Sequence, residues 1–223
     1  MQDRLIQEQL DYYRARAVEY DESLLSEATP GEERDPPEAE ELVQARQALL
    51  ALGPRSTVLE LAGGTGIWTQ ELVGIAADLT VLDGSPEMLA INKSKLQAER
   101  IRYACVDLFE WVPDRTYDLV FFSFWLSHVP PNRLAIFLDK VRDSVAPWGF
   151  VFIIDEPAGG QMLSGPVNNG MFQERAVQDG RVFNIVKVYY DPLEILKELN
   201  QRGFITRSWV SGRYFFHLAG QKK

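Results

Sequence analysis

Apolar residues recur along this chain with two periods. Ile6, Leu10, Tyr13, Ala17, Tyr20 and Leu24 repeat at spacings of four and three, which predicts a helix over residues 1–25. Residues 26–41 hold almost no apolar side chains, many acids and a Pro-Pro step, and read as an exposed, mobile connection. A second helix places Leu42, Val43, Leu49 and Leu50 on one face and ends near Gly53-Pro54. From residue 56 short apolar runs alternate with helical stripes. Strands are expected at residues 57–62, 78–83, 101–107, 117–124 and 150–155. Ser85-Pro86-Glu87 opens one helix with a cap, a first-turn proline and an acid. Leu134, Phe137, Leu138, Val141 and Val145 form another stripe, stopped by Pro147 and Gly149. Asp191-Pro192 caps a last helix that ends at Gly203, and strands at 204–210 and 214–218 flank a Ser-Gly turn.

Such alternation predicts an α/β fold, a doubly wound, mostly parallel sheet with helices on both faces. The late pair of strands predicts an antiparallel hairpin at the sheet's edge. Residues 157–190 interrupt the alternation, and a connection of this length is usually a functional loop or a disordered one. The expectation is one domain over residues 1–223. Residues 1–55 form an N-terminal lid of helices and acidic linker, 56–156 the ligand-binding core, 157–190 a substrate-side insertion, and 191–223 the final helix and hairpin.

Composition narrows the function. Of 223 residues, 46% are hydrophobic and 25% charged, the values of a soluble globular protein. The net charge of −9 speaks against nucleic acid and against an anionic membrane as partners. The one cysteine, Cys105, can form neither an intrachain disulfide nor a cysteine cluster, and its apolar neighbours suggest a small buried core residue. No apolar run has the length of a signal peptide or a bilayer span, so a soluble, cytoplasmic protein is expected.

The chemistry centres on Val58-Leu-Glu-Leu-Ala-Gly-Gly-Thr-Gly-Ile67, a strand that runs into a glycine turn and a helix. Glycines let a ligand approach the backbone, and the helix N-terminus offers unpaired N–H groups. Asp83 ends the next strand, where an acid reaches the ribose hydroxyls of an adenosine-containing ligand. Asp107 ends the third strand at the same edge. Threonine at position 69 replaces the third glycine of the dinucleotide fingerprint, a departure from the NAD pattern.

At these residues the chain resembles the class I S-adenosylmethionine-dependent methyltransferases, small-molecule type. Glu60-Leu-Ala-Gly-Gly-Thr-Gly matches their first motif, with Ala62 at the first glycine position. The resemblance implies a seven-stranded sheet with the last strand antiparallel, and S-adenosylmethionine as cofactor. It implies that Glu60, Ala62, Gly63 and Gly64 hold the methionine portion. Asp83 with Gly84 would bind the ribose, Met88 would pack on the adenine, and Asp107 with the Leu108 backbone would meet its edge. Tyr13 and Tyr20 would approach the methionine carboxylate from the N-terminal helix, although core packing explains them about as well. Arg14 and Arg16 fit either a carboxylate partner or a solvated surface.

Ser123-Phe-Trp-Leu-Ser-His-Val-Pro-Pro131 follows the fourth strand, and the resemblance places this segment, with Ser123 and Phe124, beside the transferring methyl group. The Asn/Asp-Pro-Pro-aromatic motif of amino-methylating nucleic-acid enzymes is missing. His128 is a candidate general base for an acceptor hydroxyl, or a structural residue capping the next helix. Trp125, Met171 and Phe172 are candidates for the acceptor pocket, as are Trp111 and Met162. Asp155-Glu156 suggest a metal only weakly, and no metal is expected. The expected reaction is methyl transfer to a small molecule, first of all to an oxygen. An NAD-dependent oxidoreductase and a non-catalytic S-adenosylmethionine-binding protein are the alternatives.

Overall fold

A computed structural model describes residues 2–21, 36–159 and 171–223. Met162 lies outside the described residues. The elements are α1 (Gln2–Arg16), α2 (Pro36–Leu50), β1 (Arg55–Leu61), α3 (Thr69–Ile75), β2 (Ala76–Asp83), α4 (Pro86–Lys95), β3 (Ile101–Cys105), β4 (Tyr117–Ser123), α5 (Pro131–Ser144), β5 (Val145–Asp155), β6 (Phe172–Ala176), β7 (Val182–Val186), α6 (Pro192–Gln201), β8 (Phe204–Ser211) and β9 (Phe216–Lys222). A 3₁₀ turn, Leu126–His128, follows β4.

Seven strands form one sheet in the order β3-β2-β1-β4-β5-β9-β8, and β9 runs antiparallel to both of its neighbours. The expected fold class is therefore present. Each core strand alternates its side chains between two apolar layers, as a period of two requires. Leu59, Leu61, Val120 and Phe122 face α5 and α6. Val58, Leu119, Phe121 and Phe152 face α2 and α3. Strand order reverses at β1, whose neighbours are β2 and β4, and a crevice opens at such a switch point. Register brings the ends of the strands to one edge: Leu61 pairs Leu82 and Phe122, Asp83 pairs Cys105, and Ser123 pairs Ile154.

Several local expectations are corrected. The first helix stops at Arg16, and residues 17–19 make a turn. Its most buried positions are Ile6, Gln9 and Tyr12; of the expected stripe Ile6 is buried, while Leu10 and Tyr13 are only partly buried beside the crevice. Residues 22–35, the end of the expected first helix and the start of the expected linker, lie outside the described residues, but residues 36–41 are helical, with the Pro-Pro step opening α2. Cys105 is exposed, since β3 is an outer strand and its C-terminal end lacks a covering helix. Strand β5 begins at Val145, directly after α5, with Trp148 at φ +64° among its first residues. Residues 171–186 are not a plain loop: β6 and β7 form a separate antiparallel hairpin.

That hairpin leans on α1. Glu8 Oε1 accepts the Asn184 N–H at 2.6 Å, and Gln9 Oε1 accepts the Val186 N–H at 3.0 Å. Buried Gln9 is thus satisfied at an edge of β7 that has no strand partner among the described residues. Among the described residues no helix is long and apolar enough to cross a membrane.

Candidate active site

The glycine turn after β1 is built for close approach. Gly64 has φ +51°, and a Cβ there would meet no atom within 4 Å, so its Cα faces open space. A Cβ on Gly63 would lie 2.3 Å from Val81 Cγ1, and one on Gly66 would lie 2.7 Å from Asn92, so both positions need glycine. Ala62 adopts φ +55° in the same turn, a strained conformation for alanine.

A buried polar chain supports the turn from below. Thr69 donates to Glu60 Oε2 at 2.6 Å, Asn92 Nδ2 donates to Thr69 Oγ1 at 2.8 Å, and Tyr103 donates to Asn92 Oδ1 at 2.9 Å. Asn92 also donates to the carbonyls of Gly63 and Gly64. Threonine at the third glycine position therefore has a structural role. Burial pushes the Glu60 carboxyl up to about 8.

Asp83 fixes the next wall. Its Oδ2 accepts the Gly64 N–H at 2.9 Å and its Oδ1 accepts the Ser85 N–H at 2.8 Å. Burial raises its pKa against these bonds. Ser85 caps α4 by accepting the Met88 N–H at 3.1 Å, which aims Met88 into the same space. Asp107 accepts the Phe109 N–H at 2.8 Å and so orders the segment after β3.

Two cavities meet here. The smaller, about 70 Å³, is lined by Asp83, Gly84, Met88, Asp107, Leu108 and Trp125. The larger, about 540 Å³, is lined by Glu60, Gly63, Arg16, Arg175, Lys187 and Phe215, among others. Tyr13, Tyr20, Ala62, Gly64, Ser123, Phe124 and His128 border both. Phe124, at φ +52°, is a second strained residue of this junction.

At the junction the Tyr13 hydroxyl lies 2.7 Å from His128 Nε2, and His128 Nδ1 lies 2.7 Å from the Val186 carbonyl. A carbonyl only accepts, so Nδ1 carries the proton and Nε2 accepts from Tyr13. Burial, then the charges of Lys187, Arg175 and Arg16, push the imidazole down to about 3. The Tyr13 phenol is held well above its ordinary value of 10.0 by burial and its tyrosine neighbours. Both rings are neutral across the physiological range.

Asp155 and Glu156 bind protein donors. Asp155 accepts the N–H groups of Ser127 at 3.0 Å and Glu156 at 2.8 Å, and Glu156 pairs with buried Lys187. Trp125 borders the smaller cavity, beside Phe109, instead of the larger one, and its buried Nε1–H has no acceptor among the described residues. Met171 and Phe172 line neither cavity. Sequence reasoning passed over Asn92, Arg175, Lys187 and Phe215.

A methyltransferase-domain family model matches residues 58–149. Solved structures of DhpI cover 98% of this chain. The DhpI–SAM–HEP complex is 38% identical, with 98% of that chain covered and a TM-score of 0.80. The DhpI–SAH complex is 37% identical, with 97% covered and a TM-score of 0.79. This chain belongs to the class I S-adenosylmethionine-dependent methyltransferases. Human N-terminal Xaa-Pro-Lys N-methyltransferase 1 is 25% identical over 137 residues, 57% of this methyltransferase and 61% of the relative. The malonyl-[acyl-carrier protein] O-methyltransferase of Bacillus cytotoxicus (strain DSM 22905 / CIP 110041 / 391-98 / NVH 391-98) is 28% identical over 99 residues, 42% and 33% respectively. The chain thus spans less than two thirds of either curated relative.

The donor set fits the family's cofactor. Open space over Gly64, an orphaned Trp125 N–H and the carboxylates of Asp83 and Asp107 line one continuous cleft.

Proposed function

We propose that this methyltransferase transfers the methyl group of S-adenosylmethionine to an oxygen of a small, negatively charged acceptor. In this reading the adenosine runs from the smaller cavity into the junction with the larger one, with Asp83 and Gly84 on the ribose, Met88 on the base and Asp107 with Leu108 at its edge. Glu60, Ala62, Gly63 and Gly64 carry the methionine portion, with Tyr13 and Tyr20 above it. Ser123 and Phe124 border the reacting atoms, and the acceptor enters the larger cavity. Helices α1 and α2 and the β6–β7 hairpin act as the cover of the core at 56–156.

One observation carries the charge of the acceptor. The charged groups that act on His128 at the junction are Lys187, Arg175 and Arg16, and all are cations. Arg175 bonds the neutral carboxamide of Gln173 at 3.0 Å. Glu156 offsets Lys187, so the positive field rests on Arg175 and Arg16, and it favours an anion at the place where the cavities meet. S-adenosylmethionine supplies a methyl group on a sulfonium, and attack by an anionic oxygen turns one positive and one negative charge into two neutral products. A deprotonated oxygen needs no general base, which suits an imidazole pushed down to about 3. His128 then serves to hold Tyr13, and rate comes from proximity and orientation.

The test is S-adenosylhomocysteine release from S-adenosylmethionine with panels of small carboxylic and phosphoric acids, neutral alcohols and amines. Acids are expected to turn over, the carboxylic acids giving alkali-labile methyl esters and the phosphoric acids alkali-stable ones, and Arg175→Ala is expected to raise KM about tenfold or more. Turnover confined to amines or neutral alcohols overturns the reading.

A further inference from the structure

The larger cavity has two unlike walls. Arg16, Arg175 and Lys187 line the part near His128, and the Arg46–Glu71 ion pair borders the part near α2. Leu42 and Val43 of α2, Ile67 and Trp68 of the turn, and Phe215 before β9 make the apolar wall. Val43 and Ile67 remain 51% and 42% exposed, although large aliphatic side chains normally hide. Both line the cavity.

A single carboxylate anchors this apolar wall. Glu41 Oε1 accepts the Arg213 N–H at 2.7 Å. Its Oε2 accepts the Tyr214 N–H at 2.9 Å and the Phe215 N–H at 2.8 Å. Three successive backbone donors converge on one side chain, an arrangement that binds anions tightly. Gly212 permits it, since a Cβ there would lie 2.2 Å from Glu41 Cδ. Phe215 then meets Phe124 edge to face, with ring centroids 5.4 Å apart. Glu41 therefore ties α2, which carries Leu42 and Val43, to the turn that carries Phe215.

We infer that the acceptor carries an apolar body that seats against Leu42, Val43 and Phe215, and that Glu41 is the positioning residue that holds this wall together. The inference rests on the proposed acceptor site but not on the sign of the acceptor's charge. The two walls ask for an amphiphilic small molecule, with its reacting oxygen at the junction and its apolar part toward α2.

Ligand-detected NMR titrations of the protein loaded with S-adenosylhomocysteine test this with acetate, butyrate and hexanoate, and with ethanol, butanol and hexanol. Affinity is expected to rise about two- to fourfold per added methylene. Phe215→Ala should flatten that dependence while leaving acetate and S-adenosylhomocysteine affinity in place. Val43→Ser, at an exposed position that folding scarcely uses, should do the same. Glu41→Gln should also flatten it, whereas a merely structural role would move the melting temperature and leave the chain-length dependence intact. Carboxylates preferred over alcohols without chain-length dependence overturn the inference and keep the anionic reading. Chain-length dependence without preference for carboxylates supports it and overturns the anionic reading. Binding from neither series overturns both.

Discussion

Tyr13 and His128 are 115 residues apart in sequence, and a 2.7 Å hydrogen bond joins them at the meeting point of the two cavities. Each ring fixes the other. His128 is locked by the Val186 carbonyl, and its one remaining lone pair receives the phenol proton. The phenol oxygen keeps its own lone pairs for the cleft. Tyr13 comes from α1 and His128 from the turn after β4, so the pair forms only when the N-terminal helix is docked.

The first prediction concerns this pair. Tyr13→Phe and His128→Ala should each lower turnover, and the double variant should cost less than the sum, with a coupling of about 0.5–3 kcal/mol. The wild-type rate should show no imidazole limb between pH 5 and 8, because the folded pKa lies at about 3. A limb near 6.5 that disappears in His128→Ala would restore the general-base role.

Asp83 carries the second prediction. Asp83→Ala should weaken S-adenosylhomocysteine binding by about 1.5–3 kcal/mol, the range for hydrogen bonds to a charged group. Calorimetry reads this directly. Unchanged affinity in a folded variant would sink the ribose assignment.

The third prediction is a dependence of stability on pH. Glu60 titrates at about 8 when folded, against an ordinary value of 4.5. The folded state holds the extra proton between these values, so its stability falls as pH rises from 4.5 to 8. His128 acts in the opposite sense: its folded pKa of about 3 lies below the ordinary 6.5, so stability falls as pH drops from 6.5 to 3. The two slopes offset each other between 4.5 and 6.5, and from 6.5 to 8 only the Glu60 slope remains of this pair. Thermal melts of the cofactor-free protein should therefore fall over that upper range, by at most about 1.4 kcal/mol per pH unit. Glu60→Gln should flatten the curve there, and a parallel decline in both proteins would refute the assignment.

Legibility differed sharply between the donor and acceptor sides. Asp83, Asp107 and Ser123 could be assigned to one edge because strand–helix alternation fixes which end of each strand faces the crevice. Ser85 and Asp191 announced their helices by local chemistry, and both accept the expected cap bonds. The acceptor side left no such trace. Gln9, Gln173 and Lys187 are buried polar residues, and what satisfies Gln9 and Lys187 lies far along the chain, so local apolar patterning could not point inward at them. Thr69 and Asn92 look like ordinary helix residues until Glu60 and Tyr103 are in place. Cys105 misled for a related reason. Its neighbours are apolar, but exposure at a sheet's outer strand depends on strand order, which no local run encodes.

The bond from Asn184 N–H to Glu8 spans 176 residues. During synthesis α1 leaves the ribosome ahead of the other described elements, and its partner strand emerges roughly 10–35 s later at ordinary translation rates of about 5–20 residues per second. Through that interval Tyr12, Ile6 and Gln9 have no hairpin to cover them. The nascent chain thus holds an unsheltered amphipathic helix until five of the sheet's seven strands have been made. Ile185 and Lys187 line the larger cavity, so a chain truncated before β7 would lack that wall and the Val186 carbonyl that holds His128.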